Sequence, residues 1–216
     1  MSVRILTAAG LAVTAIGASL CAATAPALAD DSAGPGKEHV AVNIADFNGR
    51  GCPADKTYIA QMFDDRSATI SFKGLRADTR LGTKGYSSNC TVGVNLYYPQ
   101  GWTYSTTSVE QFGTVDVEDG AAASLSTSYV RQNEADVTSW SKQYKGPLKD
   151  SLHVANERSS TVSIPCGDNT PRLLFITTNL TATPGPNGEN AAIEVAETSV
   201  GATTKIHLNW TKCPKV

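Results

Sequence analysis

Beyond residue 30 this chain lacks any apolar run long enough to cross a bilayer, so a membrane-spanning segment could sit only at its N-terminus. Charge is scarce, with Asp, Glu, Lys and Arg at 18% of 216 residues and a formal net charge of −2. The basic residues form no cluster, so the chain has no electrostatic footprint for nucleic acid or anionic lipid. No Gly-x-Ser-x-Gly elbow follows the N-terminal segment, which removes the common hydrolase nucleophile. No cysteines or histidines stand two to four residues apart, as zinc would require, and no dense Asp-x-Asp-x-Asp run offers a calcium loop. Apolar spacing of three and four residues is nowhere sustained beyond two turns, which excludes a long helix, and there is no internal repeat. No metal or cofactor is expected.

What is present begins with an export signal. Arg4 precedes an uncharged, Ala-rich stretch from Ile5 to about Ala25, then Pro26 and the triplet Ala27-Leu28-Ala29 ahead of Asp30 and Asp31. Basic start, apolar middle and A-x-A end are the three parts a signal peptidase reads, so residues 1–29 are expected to be cleaved. The rival, an uncleaved anchor, is disfavoured because Ala, Gly, Ser and Thr dilute the apolar run. Cys21 does not suit a lipoprotein, because the bulky Leu20 stands where a small residue is wanted. Cleavage removes Arg4 and no acid, leaving 17 basic against 20 acidic residues, a mature charge of −3. Residues 30–38 (DDSAGPGKE) are expected to be a flexible lead-in, and 39–216 one secreted, extracellular domain with no membrane attachment.

Four cysteines remain, Cys52, Cys90, Cys166 and Cys213, and an even count in an exported chain reads as disulfides. Three pairings are possible. Closure of nearest neighbours in sequence favours Cys52–Cys90 and Cys166–Cys213, which suits adjacent strands.

Period-two alternation dominates the rest. From Thr91 to Tyr98, Val92, Val94, Leu96 and Tyr98 share one face. Near the C-terminus Ile206, Leu208 and Trp210 oppose Lys205, His207, Asn209 and Thr211. Both are half-buried antiparallel strands. Turn chemistry at Asp64–Ser67, Pro99–Gly101, Gly146-Pro147 and Pro184–Gly188 separates such runs. The expected fold is all-β: a two-sheet antiparallel β-sandwich, jelly-roll-like, with two disulfides. Asp78–Asn89 is expected to be a long loop.

The order Gly51-Cys52-Pro53, Asn89-Cys90 and a strand ending Tyr98-Pro99, then Gly146-Pro147, Pro165-Cys166-Gly167 and Leu208-Asn209-Trp210 with Cys213, resembles the secreted "domain of unknown function 4360" proteins of filamentous bacteria and fungi. The resemblance covers about residues 40–213. It implies an exported β domain and supplies no catalytic residues.

Three groups of residues could carry chemistry. His39, His153 and His207 are scattered, and lone surface histidines are usually inert. Asp116 and Glu118 would stand about 7 Å apart on one strand face, within reach of acid/base work on a polysaccharide, although acids at a strand end are also ordinary solvated cover. Among the aromatics, Trp102 and Trp210 read as core, whereas Trp140 and Tyr144, set in Ser139-Trp140-Ser141-Lys142-Gln143-Tyr144, read as exposed rings able to stack on sugar faces. Sequons stand at Asn89, Asn179 and Asn209. The favoured function is a secreted non-catalytic binding or surface module for an extracellular glycan, wall component or protein. The alternatives are a small jelly-roll hydrolase or lyase using Asp116/Glu118, and a secreted inhibitor or structural surface protein.

Overall fold

The computed structural model describes residues 34–52, 59–71, 73–83, 86–156, 162–166, 173–196 and 203–214. The signal-peptide segment 1–29 lies outside them. Among the described residues, short apolar/polar alternations, cut by Gly and Pro turns, give thirteen strands: β1 (Ala41–Asn48), β2 (Ile59–Asp64), β3 (Ser67–Ser71), β4 (Leu75–Asp78), β5 (Ser87–Tyr97), β6 (Trp102–Val117), β7 (Ala122–Arg131), β8 (Thr138–Lys145), β9 (Leu148–Ala155), β10 (Val162–Ser163), β11 (Leu174–Thr183), β12 (Ala191–Val195) and β13 (Thr204–Lys212). Two 3-10 turns, Lys37–His39 and Thr79–Leu81, complete the described elements.

The strands form two antiparallel sheets, as expected. One has five strands in the order β1-β5-β11-β7-β8; the other has eight, β2-β3-β13-β6-β12-β4, with β9 and β10 also pairing with β6. Val94, Leu125, Leu174 and Ile176 from the first sheet meet Val109, Val115, Ile193 and Ile206 from the second in one buried cluster. Across this apolar layer runs a polar tie. The Gln111 amide donates to Thr178 Oγ1 at 3.0 Å and accepts from Thr204 Oγ1 at 3.0 Å, joining β6 and β13 to β11. Buried polar groups satisfied in this way fix one alignment of the two sheets.

β6 is the spine of the larger sheet. One of its edges pairs with β13 and then with β12; the other pairs with β10 and then with β9. The handover from β13 to β12 falls at Gly113, where a Cβ would run into the Glu194 carbonyl. Only glycine allows that approach.

The cysteines pair as the sequence favoured, Cys52–Cys90 and Cys166–Cys213. Two expectations are corrected. The loop expected over Asp78–Asn89 is shorter, because Asp78 ends β4 and Ser87–Asn89 already belong to β5. Polar residues there alternate with the buried Ser88 and Cys90 and pair with β11, so they are a strand despite their composition. The lead-in is held from Gly34 onward: Gly34 lies against the Trp210 ring, and the Lys37 backbone N–H donates to Asp65 Oδ1 at 2.8 Å.

Candidate functional site

β8, an edge strand of the five-stranded sheet, and β9, which pairs with β6 in the larger sheet, are joined by the short Gly146-Pro147 connection. Between them lies an open cleft of about 720 Å³, lined by Ser139, Trp140, Ser141, Lys142, His153, Val154, Ala155 and Asn156. The half-buried Trp140 and the exposed Ser139, Ser141, Lys142 and His153 therefore border one concave surface, while the Asn156 amide is buried and donates to the Tyr129 hydroxyl. Such a mixture provides an apolar platform with hydrogen-bonding groups around it.

Trp140 and Tyr144 were expected to face solvent, and the structure corrects this. Trp140 is half-buried and packs on the core edge, while Tyr144 is only 8% exposed. The reason is alternation: Trp140 and Tyr144 share the inward face of β8, and Ser139, Ser141 and Gln143 occupy the outward one. Burial raises the Tyr144 hydroxyl above its ordinary pKa, with Asp150 adding to the effect. Trp140 keeps a place in the cleft wall; Tyr144 does not line it.

Of the two rings expected in the core, Trp210 is 4% exposed, donates from its indole to the Asp65 carbonyl at 2.7 Å and packs against Tyr98 and Tyr104. Trp102 is only half-buried, because it opens β6 beside the end of β13, where the Lys212 ammonium lies 5.8 Å from its ring centre.

Asp116 and Glu118 have different partners. Glu118 stands one residue past β6 and accepts from the Asn190 backbone N–H at 2.6 Å, clamping the approach to β12. Asp116 faces Lys149 at 3.7 Å and borders a different cavity, about 410 Å³, shared with Arg76, Arg80, Asp150 and Glu194. Of the sequon asparagines, Asn179 and Asn209 are exposed, and Asn89 is half-buried opposite Asn179.

Sequence reasoning missed a convergence of histidines. His153 on β9 and His207 on β13 both reach Glu110 on β6, with Nε2 at 3.0 Å from Oε2 and at 2.5 Å from Oε1. The pairing register explains it. Glu110 lies opposite Ala155 on one side and Lys205 on the other, so each histidine is its diagonal neighbour two residues away. A bulge between His207 and Leu208 adjusts the aim of the second ring. His153 also stacks on Phe112, with centroids 4.8 Å apart and planes 9° from parallel. Burial raises the Glu110 pKa, yet the two imidazole hydrogen bonds outweigh it and hold the carboxyl below its usual value. His153 is thus a fixed part of the cleft wall, positioned from behind. The signal in the sequence was only that all three residues occupy outward positions of strands; their meeting depended on which strands flank β6. His39, the third histidine, lies apart, 3.5 Å from Glu38. Among the described residues no group of three or more potential ligands is arranged to hold a metal ion.

A relative from the fungus Arthroderma benhamiae, described as an uncharacterized secreted protein, is 33% identical over 186 residues, spanning 83% of this chain and 73% of that protein. Among solved structures, TmCBM61 in complex with beta-1,4-galactotriose is 12% identical and aligns over 82% of this chain and 94% of that one, with a TM-score of 0.23. At that score the likeness bears on neither fold nor ligand. Residues 38–213 match the domain of unknown function DUF4360, and the chain belongs to that family.

Proposed function

We propose that this chain is a secreted, non-catalytic binding module that holds an extracellular glycan in the cleft between β8 and β9, with Trp140 as its apolar platform. Export is supported by the N-terminal segment, the two disulfides and the secreted relative. The observation that carries the binding reading is the cleft itself, about 720 Å³, where the half-buried Trp140 stands beside Ser139, Ser141, His153 and Asn156. A half-buried ring with exposed serine, lysine and imidazole side chains nearby suits the two faces of a sugar, one apolar and one hydrogen-bonding. The carboxylate pair that a hydrolase or lyase would use is engaged elsewhere, with Glu118 on Asn190 and Asp116 on Lys149.

The test is retention of the purified protein on a panel of insoluble glycans and cell walls, assayed in parallel for released sugar. The wild type is expected to be retained without releasing sugar. Trp140→Ala is expected to lose retention while destabilising the fold by no more than about 1–2 kcal/mol, since the ring is only half-buried. Retention unchanged in Trp140→Ala would place the ligand elsewhere, and steady release of sugar would make the protein an enzyme.

A further inference from the structure

We propose, resting on the cleft reading above, that the ligand is an anionic, hydroxyl-rich polymer, bearing carboxylate or phosphodiester groups, held more tightly at mildly acidic than at neutral pH. Among the described residues, those lining the cleft include Lys142 and His153 and no carboxylate. The acid Glu110 is held by His153 and His207 together.

The charges facing this cluster come from five strands. β6 contributes Glu110, β8 contributes Lys142, and β13 contributes His207 and Lys205. The Lys205 ammonium lies 4.0 Å from Asp64 of β2, so that pair is locally neutral. On β9, Lys149 faces Asp116 at 3.7 Å, and Asp150 borders the separate cavity with Arg76 and Arg80. Among the described residues bonded to this cluster or lining the cleft, the remaining charged or titratable groups are Lys142, Glu110 and the two imidazoles. With both imidazoles neutral, Lys142 and Glu110 cancel. Each imidazole that takes a proton adds one positive charge, and Glu110 stays ionised well below the range in which histidine titrates. His153 is 63% exposed, so that charge is presented to the cleft rather than confined behind it.

The decisive experiment is affinity electrophoresis at low salt in gels containing polygalacturonate, poly(glycerol phosphate) or neutral dextran, at about pH 5.5 and about pH 7.5. Both anionic polymers keep their charge across that interval. Wild-type protein is expected to bind at least one of them about three- to fivefold more tightly at the lower pH, as one added exposed charge pair at His153 allows. Comparison of the two anionic polymers identifies which anion the cleft takes. Lys142→Gln, at an exposed side chain whose ammonium lies 5.3 Å from the Tyr144 ring centre, is expected to weaken binding at both pH values. His153→Gln is expected to flatten the pH ratio, with unchanged thermal unfolding, whereas His39→Gln keeps the wild-type profile. Retention by neutral dextran with a flat pH profile, abolished by Trp140→Ala, would overturn this inference and leave the cleft reading standing. No retention by either anionic polymer would overturn this inference alone, and acid-promoted binding indifferent to Trp140→Ala would overturn both.

Discussion

Asp78 shows how one side chain sets the behaviour of its surroundings. It ends β4 with 2% of its side chain exposed and accepts from Arg76 Nη2 at 2.5 Å, Arg80 Nε at 2.8 Å and the Arg80 backbone N–H at 2.9 Å. Burial alone would raise its pKa, but the hydrogen bonds and charge of Arg80 and Arg76 prevail and lower it from 3.8 to about 2. A carboxyl depressed in the fold contributes stability that is complete above its unfolded pKa and is lost as pH falls through the folded one. The window therefore runs from about pH 4 down to about pH 2. Asp78→Asn is expected to cost about 2 kcal/mol at neutral pH. Urea unfolding of wild type and variant at stepped pH checks this: the gap between them should close across that window. A gap that persists unchanged at pH 2 would mean that Asp78 acts through shape and not through charge.

At the scale of the element, β6 holds the larger sheet together, and its weak point is the exchange of partners at Gly113. The β13 pairing ends at Gln111, opposite Thr204, and the β12 pairing begins at Gly113, opposite Val195. Gly113→Ala would push a methyl group into the Glu194 carbonyl, so β12 must move away from β6 or the variant must unfold. A loss of about 3 kcal/mol is expected from this clash of backbone with side chain, with amide exchange accelerating first in 191–195. Uniform acceleration across both sheets would show instead that β12 is not a separable edge. These strands also mark what the sequence made legible. Alternation in Thr91–Tyr98 and 205–211 identified β5 and β13 because one face of each is apolar throughout. β8 carries the same alternation, but its inward face mixes Trp140, Lys142 and Tyr144, so residues adjacent in sequence suggested exposure where period two dictated burial. The Glu110 cluster and the Gln111 tie could not be read in advance. They depend on which strands flank β6 and which sheet it faces, and no local pattern encodes either.

For the molecule as a whole, the two disulfides act at separate places in the sandwich. Cys52, just after the edge strand β1, is tied to Cys90 within β5; Cys166, after the two-residue β10, is tied to Cys213 at the end of β13. β1 pairs with β5 along one side, and β10 contributes two residues to the ladder with β6. The closed loops span 38 and 47 residues, so the chain-entropy model assigns each bond about 4 kcal/mol, nearly equal because the dependence on length is logarithmic. Together they amount to much of the 5–15 kcal/mol typical of a folded domain, about 8 kcal/mol by that model. Paired removal, Cys52→Ala with Cys90→Ala or Cys166→Ala with Cys213→Ala, is expected to lower Tm by about 10 °C in each case, and reduction of both bonds by about 20 °C. Differential scanning calorimetry with and without reductant, with thiols counted in parallel, measures all three. Equal and additive losses fit unfolded-state entropy acting at two independent sites. A much larger loss for the Cys52 pair would instead mean that the bond holds β1 in place within the native sheet, since both loops cost the unfolded chain nearly the same. A full thiol count with an unchanged Tm would show that strand pairing alone carries the sandwich.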